Sequence, residues 1–235
     1  MTTTSQLLFV SSALALGALP TSAASVLTEA FGYSDGAIVG ATGSPWVTNS
    51  GTAGQADVTT GALNITASES EDIAAPLSSE ITVGTLTATF EVTFSALPTT
   101  GGAYFAHFIG TNNNFIGRVW AARPTGTAAN NFRLGISNST NTVTYSTVDL
   151  SLDTTHTLTL GLDIATDLTS LSINGGTAIV GSDAVVNTGI DRFGFRQAAG
   201  EGILRVDNLL VDHVPEPASA LLGTLGLIGL LRRRR

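Results

Sequence analysis

Residues 84–97, GTLTATFEVTFSAL, alternate apolar and polar side chains with a period of two, which no helix can turn into a single buried stripe. As a strand the stretch sends Leu86, Ala88, Phe90, Val92 and Phe94 to one face and Thr85, Thr87, Thr89, Glu91 and Thr93 to the other, the pattern of a sheet buried on one side. HTLTLGLDIA repeats the device, with Leu158, Leu160, Leu162 and Ile164 opposite Thr157, Thr159 and Asp163. Similar runs predict strands at Ala62 to Thr66, Ala103 to Ile109, Phe115 to Ala121, Asn131 to Ile136, Thr142 to Val148, Thr169 to Ile173, Asp191 to Arg196 and Ile203 to Val211. Turn-forming clusters separate them, and Asn174-Gly175 is the strongest, since both residues tolerate the positive φ of a tight hairpin turn. About ten short strands in succession, with no helical segment between them, predict an all-β fold, an antiparallel β-sandwich rather than an α/β architecture. The abundant threonines suit strands with a wetted outer face.

At 235 residues the chain is long enough for one domain with a well-buried core. All ten basic residues are arginine and four of them close the chain, so residues 25–213 hold six arginines against seventeen acidic side chains, a net charge near −11. An acidic body is a poor match for a phosphate backbone, so nucleic acid is not an expected partner. Without cysteine there is no disulfide, thiolate metal site or thiol nucleophile.

The first residues read MTTTSQLLFVSSALALGALPTSAAS, in which Leu7 to Leu19 have the length and apolarity of a signal-peptide core. Ser22 and Ala24 are small at the two positions that matter for cleavage, which predicts a signal peptide at 1–24 and a mature start near Ser25. The segment before the core lacks Lys and Arg, so a buried helix or an uncleaved anchor is the competing reading. At the other end, Ala218 to Leu231 is apolar apart from Ser219 and Thr224. As a helix it would extend roughly 21 Å, short of a bilayer core of about 30 Å. Arg232, Arg233, Arg234 and Arg235 follow at once, and four adjacent guanidinium groups resist burial but are favourable on the cytoplasmic side of a membrane, where they act as a stop-transfer clamp.

Val214-Pro215-Glu216-Pro217, a short Gly- and Leu-rich span and a terminal arginine cluster together resemble the PEP-CTERM sorting signal of exported bacterial proteins. The resemblance covers residues 214–235 and implies that Pro215, Glu216 and Pro217 are recognised outside the membrane by an exosortase, a membrane-embedded transpeptidase-like protease. That enzyme would remove the tail and deliver the protein to the cell surface or an extracellular polysaccharide matrix, after transient anchoring in the inner membrane. Signal peptidase and the secretion machinery are the other implied partners. Two prolines hold the motif extended and out of any helix, as a protease substrate requires. A plain C-terminal anchor with proline at the helix start is the alternative. Over the body, 25–213, the segments EAFGYSDGAI, GSPW, GALNIT, THTLTLGLDI, LSINGG and LRVDNLLV resemble exported proteins with a laminin G-like or concanavalin A-like jelly roll. That likeness implies that the first and last strands lie side by side.

Material for catalysis is sparse. His107, His156 and His213 sit in no metal-binding spacing, and no nucleophile elbow or phosphate loop occurs, so neither cofactor nor metal is expected. Glu69, Glu71 and Asp72 in SESEDIA read as a solvated acidic loop rather than a calcium site. Glycosidases of the resembled group alternate acids as E-x-D-x-x-E across a sugar cleft, and no such run is present, so the body is expected not to be an enzyme. AYFAHFIGTNNNFIGRVWAARP places Ile116, Arg118 and Trp120 on one strand face, beside either Tyr104 and Phe108 or Phe105 and His107. If Tyr104, Arg118, Trp120 and Arg133 shared an exposed face they would suit a saccharide; a core position for Trp120 is the competing expectation. The functions in view are therefore a structural or adhesive protein of the envelope or biofilm matrix, a module binding exopolysaccharide, and, third, an unrecognised glycosidase.

Overall fold

The computed structural model describes residues 22–182 and 189–216. The expected signal-peptide core, Pro217, the apolar tail and the arginine clamp lie outside them. Among the described residues no helix is long and apolar enough to cross a membrane.

Among the described residues all regular structure is strand. In chain order the elements are β1 (Ala24–Glu29), β2 (Gly36–Ala37), β3 (Val47–Ser50), β4 (Asp57–Thr59), β5 (Ala62–Thr66), β6 (Asp72–Ile81), β7 (Thr85–Ala96), β8 (Ala103–Gly110) and β9 (Phe115–Ala122). They continue as β10 (Asn131–Ser137), β11 (Thr144–Tyr145), β12 (Leu150–Ser151), β13 (Thr155–Asp163), β14 (Leu168–Ile173), β15 (Ile179–Val180), β16 (Ile190–Phe195) and β17 (Ile203–Val214). A nine-stranded sheet runs β15-β14-β13-β7-β17-β5-β4-β2, with β1 also paired to β17. The second, eight-stranded sheet runs β11-β10-β9-β8-β16-β6-β3, with β12 paired to β10. All pairings are antiparallel, and the first and last strands are neighbours as the resemblance implied.

The two sheets meet over one apolar core. Leu86, Ala88, Phe90, Val92 and Phe94 of β7 are buried there with Leu158, Leu160 and Leu162 of β13, in agreement with the alternation. The eight-stranded sheet answers with Phe105, Phe108, Phe132, Phe193 and Phe195. Most of these rings meet edge to face, as Phe90 and Phe195 do at 5.7 Å and 85°, an arrangement in which positive ring edges approach negative faces; Phe132 meets Phe94 tilted, at 39°. Ile173-Asn174-Gly175-Gly176 forms the expected turn: Asn174 and Gly175 have φ of 51° and 69°, and the Gly176 amide donates to the Ile173 carbonyl at 2.9 Å.

Three local expectations are corrected. Strand Thr142 to Val148 shrinks to the two residues of β11. SESEDIA is no solvated loop: Glu71 is fully buried, and Asp72 is buried at the start of the ten-residue β6. Glu71 accepts the Thr48 hydroxyl at 2.5 Å and the Gln55 and Ala56 amides at 2.7 Å each, so its carboxylate ties the 48–56 segment to β6. A buried carboxyl is tolerable inside when donors meet its oxygens, as these three do. Finally, Ile116 does not share a face with Arg118 and Trp120. Gly117 has φ of 66° and acts as a bulge, so Ile116 enters the core while Arg118 and Trp120 point away from it.

Candidate functional site

Bulges also decide what β8 presents. Between Tyr104 and Ala106 it carries one residue more than β9, so Phe105 and Ala106 both join the core and Phe108 follows them, while the second register shift, between Ala106 and Phe108, is the Gly117 bulge of β9. Tyr104 and His107 are left on the outer face, a combination that simple alternation could not supply. On the flanking strands the same face holds Phe115, Arg118 and Trp120 of β9, and Arg192 and Gly194 of β16, with Arg196 one residue beyond.

Tyr104 is the centre of this cluster. It lies 5.4 Å from the Trp120 ring, 5.6 Å from His107 and 6.4 Å from Phe115. The Arg118 and Arg196 guanidinium carbons stand 4.9 and 4.3 Å from its ring centre. They reach it from β9 and β16, the strands on either side of β8, so cations rather than open space meet the ring. Trp120 is absent from the core cluster yet only 9% exposed, and its indole N–H donates to the Ser137 hydroxyl at 2.9 Å. Gly135, its partner on β10, leaves room for Tyr145 and Val143, whose side chains would stand 2.6 and 2.7 Å from a Cβ there.

Of the four residues proposed from sequence, Tyr104, Arg118 and Trp120 are thus brought together, while Arg133 is otherwise engaged. Its Nε donates to Asp149 at 2.5 Å and its Nη2 to the Gly126 carbonyl at 2.9 Å. Asp149 also accepts the Ala128 amide, and these two bonds hold its carboxyl below the usual range. Arg133 therefore pins a loop to β10.

Sequence reasoning missed the polar floor beside Tyr104. Asp72 accepts the Ser50 hydroxyl at 2.7 Å and lies 3.8 Å from Arg196. Burial pushes its carboxyl up, against the pull of Ser50 and Arg196. Glu201 is fully buried and accepts the Ala198 amide at 2.5 Å, but its second oxygen has no partner. Burial raises it to about 7, so this carboxyl is partly neutral at physiological pH. His107 is enclosed by Phe115, at 4.3 Å between rings, and by Gly194. Neither ring nitrogen has a partner, and burial, with Arg118 and Arg196 adding to it, lowers its pKa to about 3. It is a neutral ring at any ordinary pH. Among the described residues no group of three or more His, Asp or Glu could hold a metal ion.

The arginines are unevenly distributed between the two outer faces, and three of them stand against carboxylates: Arg133, Arg192 and Arg196 lie 2.5, 3.2 and 3.8 Å from Asp149, Asp191 and Asp72. Arg118, Arg133, Arg192 and Arg196, four of the six arginines of the body, belong to the outer face of the eight-stranded sheet. The opposite outer face has a depression of about 350 Å³ lined by Glu91, Asp207 and Arg205 with Ala62, Thr93 and Thr155. There Arg205 donates to the Thr59 carbonyl at 2.8 Å and the Thr60 hydroxyl at 2.9 Å.

Residues 213–235 match the family described as the PEP-CTERM protein-sorting motif. No curated protein matches the chain. Among solved structures it is similar to one described as a sialidase, with a TM-score of 0.55 and 13% identity over 78% of this chain, which spans 18% of that protein's length. It is also similar to the Emp47p carbohydrate recognition domain (TM-score 0.48, 10% identity, 72% of this chain and 89% of that one). A third likeness is to peanut lectin (TM-score 0.46, 15% identity, 73% and 93%). At 13% identity the first of these likenesses is one of fold. The sorting motif is what bears on destination: it marks an exported protein, anchored transiently through its C-terminal region and processed by an exosortase.

Proposed function

We propose that residues 25–213 of this exported exosortase substrate form a non-enzymatic structural or adhesive domain of the cell envelope or extracellular matrix, set between a signal peptide at 1–24 and the sorting signal at 214–235. Its contact is with an acidic exopolysaccharide laid across the outer face of the eight-stranded sheet. The observation that carries this reading is the pair of guanidinium groups, Arg118 and Arg196, that approach Tyr104 from either side on that face. In a body near −11 the average charge repels a polyanion, so attraction must be local, and these two guanidinium groups are where the face supplies it. Guanidinium groups also match carboxylate and sulfate in shape and donor number. Sugar stacking on bare aromatic faces is the weaker account, because Trp120 is covered and the Tyr104 ring already meets two cations.

The test is affinity electrophoresis of the processed protein in gels containing alginate, or neutral dextran as control. Retardation by alginate alone, weakened in Arg118→Gln and by added salt, is the expected result. Equal mobility in both gels, or unchanged retardation in Arg118→Gln, would overturn the assignment.

A further inference from the structure

The strand that leads into the sorting motif is clamped on both flanks up to its last residues. On one side Asp212, His213 and Val214 of β17 pair with Thr87, Leu86 and Thr85 of β7. On the other, Asp212 and His213 pair with Ser25 and Ala24 of β1. Pro215 follows with no intervening residue, and the body closes under it: a Cβ on Gly84 would lie 2.3 Å from the Val214 carbonyl oxygen and 3.1 Å from the Pro215 Cα. Proteases bind substrates as extended chain, commonly by pairing with backbone groups on either side of the bond to be cut. The residues ahead of Pro215 have already given those groups to β1 and β7. A spacer that would carry the motif away from the folded body is missing.

The same register brings the two processing points together. Ala24 and Ser25, which flank the expected signal-peptide cut, lie directly across from His213 and Asp212, so the Cα atoms of each pair are about 5 Å apart. Once β1 is zipped to β17, the signal site is itself part of a ladder. Among the described residues β17 is the one strand that pairs with β1.

We propose that folding of the body orders its own maturation: the signal cut precedes the zipping of β1 to β17, and the zipped pair then gates the exosortase cut, which proceeds only when residues 212–214 open. This rests on the sorting reading above. The bond chemistry belongs to the processing enzymes; the body controls access.

The experiment is pulse-chase analysis of the full-length chain in a host with an exosortase, reading the removal of both ends by mass. Two variants bear on the gate. A six-residue Gly/Ser insertion between Val214 and Pro215 frees the motif without touching the ladder, and should speed tail removal several-fold. Thr87→Cys combined with Asp212→Cys places two thiols on directly paired residues, within disulfide reach in a chain that has no other cysteine. That lock should slow tail removal until a reductant is added, and signal removal should precede tail removal in every chain. Tail removal at the wild-type rate in the insertion variant, or tail loss ahead of signal loss, would overturn the proposal while leaving sorting intact. Failure of the wild-type chain to lose its tail in an exosortase-dependent way would instead refute the sorting reading itself.

Discussion

Gly194 lies directly beneath His107: the two are paired across β16 and β8, and a Cβ on Gly194 would stand 3.0 Å from the imidazole Nε2. The same Cβ would meet Ile109 Cδ1 at 3.0 Å and the Ile73 carbonyl at 3.1 Å. The ring is buried because a side chain is missing below it. Gly194→Ala should therefore cost about 1–3 kcal/mol by overpacking, read as a lower urea midpoint with unchanged slope. It should also disturb Tyr104, which rests beside the imidazole.

His107 and Glu201 should shape the pH dependence of stability in opposite senses. The His107 pKa falls from 6.5 to about 3 in the fold, so its contribution is full above 6.5 and is lost as pH falls from there toward 3. Glu201 rises from 4.5 to about 7, so its contribution is full below 4.5 and is lost as pH climbs toward 7. Between 4.5 and 6.5 the two slopes oppose each other, and the wild-type curve should be nearly flat in that window. Glu201→Gln should unmask a slope approaching about 1.4 kcal/mol per pH unit, stability rising with pH. His107→Leu should reverse its sign. Urea midpoints from pH 4 to 8 decide it; a flat Glu201→Gln curve would contradict the buried, neutral histidine.

Glu71→Ala should be among the most damaging single changes. It strips partners from the Thr48 hydroxyl and from the Gln55 and Ala56 amides. Each donor left dry costs about 1–3 kcal/mol, so a loss of roughly 3 kcal/mol or more is expected by chemical denaturation. Thr48→Val, which removes one donor and leaves the carboxylate its two amides, should cost far less.

Arg133→Ala should separate a structural arginine from a ligand-facing one. It removes the bonds to Asp149 and Gly126. Amide exchange at Ala128, which donates to the same aspartate, should accelerate, while retardation in alginate gels should change much less than in Arg118→Gln. Comparable loss of retardation in both variants would place Arg133 among the ligand contacts.

What could be read from the sequence follows from the range of the forces involved. The strands of β7 and β13 were legible because alternation is local, and the sorting motif because it is contiguous. The burial of Glu71 was not, since its donors lie 15 to 23 residues away and nothing in SESEDIA announces them. The outer face was half legible. Arg118 and Trp120 share a face, as their spacing indicated, but Gly117 removes Ile116 from it and the extra residue at Phe105-Ala106 of β8 joins His107 to Tyr104. Bulges exchange the faces of everything downstream, and a lone glycine is a faint signal for one.

The nine-stranded sheet has its seam at β17, which joins β7 on one side to β5 and β1 on the other. Every other described strand is synthesised earlier, so a chain emerging from the ribosome holds two separate half-sheets with raw edges until residues 203–214 arrive. Its contacts are dominated by distant partners, which makes for slow folding. Such a chain stays threadable through a translocation pore for longer than one built from local hairpins. A nascent chain interrupted before Ile203 should accordingly be aggregation-prone and quickly degraded, because the segment that leads to the sorting motif is also the one that finishes the fold.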